Sequence, residues 1–136
     1  MTWTTIATWA TSTVLATGLL VGCGGGEDRP AVCSDVEALG ASIDELTNVD
    51  LRQDGPSTLK DAFDQVMSDL GEVKKSATDE YADEVEAVDQ AATALSTDLS
   101  AAASSPSAAT IQPLRADLES LKASLNALRE SVQDTC

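Results

Sequence analysis

Residues 110–132 read TIQPLRADLESLKASLNALRESV, and the apolar side chains of that stretch decide the fold. Ile111, Leu114, Leu118, Leu121, Leu125, Leu128 and Val132 step by three and four through three heptads, which draws one apolar stripe along an α-helix. A half-buried strand would need alternation by two, and the stretch has none. Pro113 carries no N–H, so the helix is predicted to start near Thr110, with Pro113 in its first turn where no donor is required.

The same stepping recurs upstream. Tyr81, Val85, Val88, Ala92, Leu95, Leu99 and Ala102 form a second seam, closed by the turn-forming run Ser104-Ser105-Pro106-Ser107. Leu59, Phe63, Val66, Leu70 and Val73 form a third, with Ser57 or Thr58 as its predicted cap and Lys74 and Lys75 placed to complement the C-terminal dipole. A break at Ser76-Ala77-Thr78 separates these two. Val36, Leu39, Ile43 and Leu46 mark a shorter helix fading near Asn48, and Ser34 with Glu37 is predicted to cap it reciprocally. Between Val49 and Gly55 the pattern is broken by a turn signal before Pro56.

The net charge is −15, from 23 acidic and 8 basic residues in a chain of 136, and no charged residue precedes Glu27. Such a surface repels nucleic acid and anionic lipid headgroups, whose binding needs Lys and Arg to displace counterions. The sequence therefore predicts no nucleic-acid partner. Residues 1–22 hold an apolar run around Val14–Val21 that is too short to span a bilayer and suits a removable signal peptide. Gly24-Gly25-Gly26-Glu27-Asp28-Arg29-Pro30 offers nothing to bury and reads as a flexible tether. From Cys23 to Val32 it would reach only about 16 Å.

Leu20-Val21-Gly22-Cys23 resembles the lipobox of bacterial lipoproteins: an aliphatic residue, a small or aliphatic one, Gly or Ala, then Cys. The resemblance implies that Cys23 receives a diacylglyceryl group and becomes the N-terminus, anchoring the chain to the extracytoplasmic face of the cell membrane. The organisation is then signal peptide 1–22, lipidated Cys and tether 23–32, and an acidic helical domain 33–136. With the Ala-, Asp- and Ser-rich helices, the whole pattern resembles small actinobacterial envelope lipoproteins, a likeness that implies an address and no particular activity.

With Cys23 lipidated, Cys33 and Cys136 remain as an even pair in an oxidising compartment. One disulfide is predicted, the alternative being two free thiols. That bridge fixes the helix count: four helices running up, down, up and down bring Cys33 and Cys136 to one end, whereas three full-length helices would part them. The predicted fold is an all-α antiparallel four-helix bundle with a short first helix, closed by a terminal disulfide. Charge agrees with the ring order. The first helix with Asp50 carries five acids and no base, the third carries seven and no base, and the second and, with Asp134, the fourth are each −1, so the acidic helices fall on a diagonal.

The chain contains no His, and it has no Gly-rich phosphate loop, Gly-x-Ser-x-Gly elbow or zinc-ligand spacing. Neither an enzymatic activity nor a cofactor is predicted. Asp79, Glu80, Asp83, Glu84 and Glu86 crowd one helix start, but calcium favours a wrapping loop with six to eight oxygens, so a solvated acidic face is the preferred reading and no metal site is assigned. The expected function is that of a membrane-anchored, non-catalytic interaction or structural domain with an envelope-protein or cell-wall partner. The alternatives are a small-molecule or lipid carrier and a weak divalent-cation binder. The connectors from Asn48 to Pro56 and from Ser104 to Pro113 lie farthest from the anchor and are the expected contact region.

Overall fold

The computed structural model describes residues 29–50 and 53–136. Among them are four α-helices, α1 (Ala31–Asn48), α2 (Gly55–Ser76), α3 (Ala82–Ser104) and α4 (Ala108–Val132), with a 3₁₀ turn at Asp79–Tyr81 leading into α3 and no strand. Helices α1 and α2 lie closely along each other, as do α3 and α4; the two hairpins meet more sparsely through α2 against α3 and α1 against α4. The backbones of α1 and α3, and those of α2 and α4, stay farther apart than those of ring neighbours, so the acidic helices occupy the diagonal that their charge predicts. The chain is an antiparallel four-helix bundle.

The seams form the core. Every apolar position expected on α1, α2 and α3 is buried, Tyr81 included, and on α4 Leu114, Leu121, Leu125, Leu128 and Val132 are buried while Ile111 and Leu118 are half-buried. The mixed helices each lay a cation on an acidic neighbour. Lys74 of α2 reaches Asp89 of α3 at 2.6 Å, and the Arg129 guanidinium of α4 lies over α1 at Gly40, where a β-carbon would fall 1.8 Å from its terminal nitrogen. Gly40 is thus a close-approach position. Arg129 there stands in helical register between Glu37 and Asp44.

Three helix starts differ from expectation. α1 begins at Ala31, not at a Ser34 cap: the Ser34 hydroxyl donates to the Ala31 carbonyl at 2.9 Å, and Glu37 accepts from Arg29 at 2.6 Å. Beginning early buries Val32 and Cys33, which are 3% and 1% exposed, so Val32 belongs to the core and not to the tether. α2 begins at Gly55, whose φ of 77° turns the chain where a β-carbon would be strained, and Pro56 follows in the first turn. Thr58 is no cap; its hydroxyl donates to the Asp54 carbonyl at 2.8 Å.

The reciprocal cap instead stands at α4. The Thr110 N–H donates to the Ser107 hydroxyl at 3.2 Å, and the Ser107 N–H donates to the Thr110 hydroxyl at 3.0 Å. This fixes the start two residues earlier than Thr110 and moves Pro113 into the second turn. Pro113 therefore leaves the Ala109 carbonyl without its usual donor, which is tolerated because Ala109 and Pro113 are both exposed to water.

Candidate functional site

The two ends of the bundle differ in kind. At one end Cys33, in the first turn of α1, is bonded to Cys136 beyond α4, with their Cα atoms 5.6 Å apart and a separation of 103 in sequence. Beside the bridge, the hydroxyl of the buried Tyr81 is hydrogen-bonded to that of Thr135. This closed end ties the start of α1, the entry to α3 and the last residues of the chain together. Cys23 and the lipobox lie outside the described residues.

The other end is open. It carries an apolar recess of about 90 Å³ between three helices. Pro56 and Leu59 wall it from α2, Leu99 and Ala102 from α3, Ile111 and Leu114 from α4, and Pro106 in the connector forms its rim. Among the described residues, none of α1 lines it. Heptad stepping alone does not mark the recess. The signal available in the sequence is the pair of prolines, Pro56 and Pro106, flanking the α2 and α4 starts, both of which line the recess.

One turn inward from the recess, Asp98 of α3 and Asp117 of α4 face each other. One carboxylate oxygen of Asp117 is shielded from solvent with no hydrogen-bond donor beside it. Burial pushes the Asp117 carboxyl above its ordinary 3.8, and so do the hydrogen bond its neutral form shares with Asp98 and the repulsion between the two charges. Asp98 lies three residues after Leu95 and one before Leu99, and Asp117 lies three after Leu114 and one before Leu118. The shared offset puts both beside the seam, where antiparallel helices bring flanking positions together.

A second depression, about 280 Å³ and open to solvent, lies at the closed end between α2 and α3, lined by the Lys74–Asp89 pair together with Asp79 and Glu86. The acids from Asp79 to Glu86 are distributed around the 3₁₀ turn and the first turns of α3. Among the described residues no three carboxylates or thiolates converge as a metal centre, and no helix is long and apolar enough to cross a membrane. Compared with protein families, curated proteins and solved structures, the chain matches none.

Proposed function

We propose that the chain is a lipid-anchored extracytoplasmic protein, attached to the cell membrane through Cys23, whose helical bundle is a non-catalytic interaction module that meets an envelope protein or cell-wall component with its open end. The observation that carries this reading is the polarity of the bundle. The disulfide lies ten positions from Cys23 at its Cys33 side, so a lipid on Cys23 holds the closed end near the membrane and leaves the connectors and apolar recess on the far side. The absence from the whole sequence of His, the commonest general acid-base side chain, supports a binding role over a catalytic one.

The carrier alternative draws less support. Pockets that enclose small molecules generally span roughly 300–1,000 Å³, whereas the enclosed apolar space here is about 90 Å³. The anchor is tested by growing cells with labelled palmitate and fractionating them in detergent. The parent chain is expected in the detergent phase with label, and Cys23→Ala is expected in the aqueous phase without it. Equal labelling of the two chains would overturn the anchor.

A further inference from the structure

The closed end joins two cysteines that are held in different ways. Cys33 lies in the first turn of α1, 1% exposed, and its position is set by that helix and by the core it belongs to. Cys136 stands four residues beyond Val132, where α4 ends. The Gln133 N–H donates to the Glu130 carbonyl, and the Thr135 and Cys136 N–H groups donate to that of Val132. These bonds shape the tail on α4 but do not aim it at α1.

Tyr81 supplies the aim. Its side chain is 3% exposed, at the end of the 3₁₀ turn, where its N–H donates to the Thr78 carbonyl at 3.0 Å. A buried ring with two side-chain torsions is a stiff post with a polar tip. That tip, the hydroxyl, is hydrogen-bonded to the hydroxyl of Thr135, the residue next to Cys136. Among the described residues, and apart from the bridge itself, this is the side-chain bond that ties the tail to another element. Consecutive Cα atoms are ~3.8 Å apart, so holding Thr135 leaves Cys136 little room. The Cys136 Cα stands 5.6 Å from that of Cys33, inside the range a disulfide requires.

We propose that Tyr81 is a positioning residue for closure of the bridge: its bond to Thr135 holds the reduced tail against the bundle and presents the Cys136 thiol to Cys33. Ordering the tail beforehand removes part of the entropy that closing the ring would otherwise cost. In exchange with oxidised glutathione, one cysteine thiolate attacks the glutathione disulfide, forming a mixed disulfide and releasing one glutathione thiolate. The other cysteine thiolate then attacks the protein sulfur of the mixed disulfide, and the second glutathione thiolate leaves. The two protons lost by the cysteines end on the released glutathione. Tyr81 exchanges no proton or electron in this sequence and acts through Thr135 alone. The inference concerns the closed end and stands whether or not the lipid anchor and the open-end contact face do.

The test equilibrates the full chain carrying Cys23→Ala, whose two thiols are then Cys33 and Cys136, with mixtures of reduced and oxidised glutathione. Trimethylamine oxide is added because it favours the compact state. Acid-quenched samples are alkylated, and the ratio of bridged to reduced chain, read by mass spectrometry, gives the effective concentration of one thiol at the other. Tyr81→Phe and Thr135→Val are each expected to lower it about fivefold, the equivalent of one hydrogen bond, and the two together no further. Thr135→Ser, which keeps a hydroxyl, is expected to retain the parent value. Ser107→Ala, which removes a cap at the far end, is expected to leave it unchanged. An effective concentration unmoved by Tyr81→Phe, or lowered as much by Ser107→Ala, overturns the proposal, as does full additivity of Tyr81→Phe and Thr135→Val.

Discussion

The closed and open ends of the bundle are built from the same four helices, yet they invest in opposite things. At the closed end a covalent bridge, a buried Tyr81 bonded to Thr135, and the Lys74–Asp89 pair tie together elements distant in sequence. At the open end there is an apolar recess rimmed by two prolines, and beside α3 and α4 a pair of like charges that repel each other. The lesson is a division of labour. One end supplies the stability that lets the other keep features a more stable bundle would have filled or neutralised.

The largest effect should come from equalising the ends. Replacing both bridge cysteines, Cys33→Ser with Cys136→Ser, removes a closure across 103 positions and is expected to cost about 4–5 kcal/mol in urea unfolding. That is comparable with the whole stability of a small domain. A loss below about 1 kcal/mol would mean that packing, not the bridge, secures the closed end.

The next comparison concerns proton binding at the open end. Because the folded state holds the Asp117 proton more tightly than the unfolded chain does, Asp117 favours folding below its ordinary 3.8 and loses that contribution as pH rises through its elevated folded value. Asp117→Asn should therefore stabilise the bundle near neutral pH by about 1 kcal/mol, with the advantage shrinking toward zero below 3.8. Parallel unfolding curves for the two chains across that window would show that the pair is not coupled.

Two single-group deletions sharpen the contrast. Tyr81→Phe removes the hydroxyl bond to Thr135, and Ser107→Ala removes the α4 cap; each is expected to cost about 1 kcal/mol. Their reach should differ. Hydrogen exchange is expected to rise across several elements at the closed end for Tyr81→Phe, but only in the first turn of α4 for Ser107→Ala. The smallest effect serves as a control: Gly71 lies within α2 with open space where a β-carbon would go, so Gly71→Ala should stabilise by roughly 0.5–1 kcal/mol without altering either end.

The helices, the ring order and the bridge were legible from the spacing of Leu and Val, the segment charges and the pair of cysteines left once Cys23 is set aside on its resemblance to a lipobox. The helix starts were less so. Ser34 has the chemistry of a cap, but burial of Val32 and Cys33 extends α1 past it; that gain depends on what α1 packs against, which no local pattern states. The open-end site was legible only as a location, the two connectors. The recess is lined from three helices and a connector at once, and the Asp98–Asp117 pair exists because two antiparallel helices share an offset. Both are properties of juxtaposition.

The position of the disulfide also governs how the molecule bears load. A pull delivered through the residues before α1 would, without the bridge, peel that helix from its first turn, breaking its contacts one after another. With Cys33 fastened to Cys136, the same pull is divided at once between α1 and the end of α4. Those two helices are neighbours in the ring, so the force spreads across the bundle's width and the weaker seam between the hairpins is clamped where tension enters.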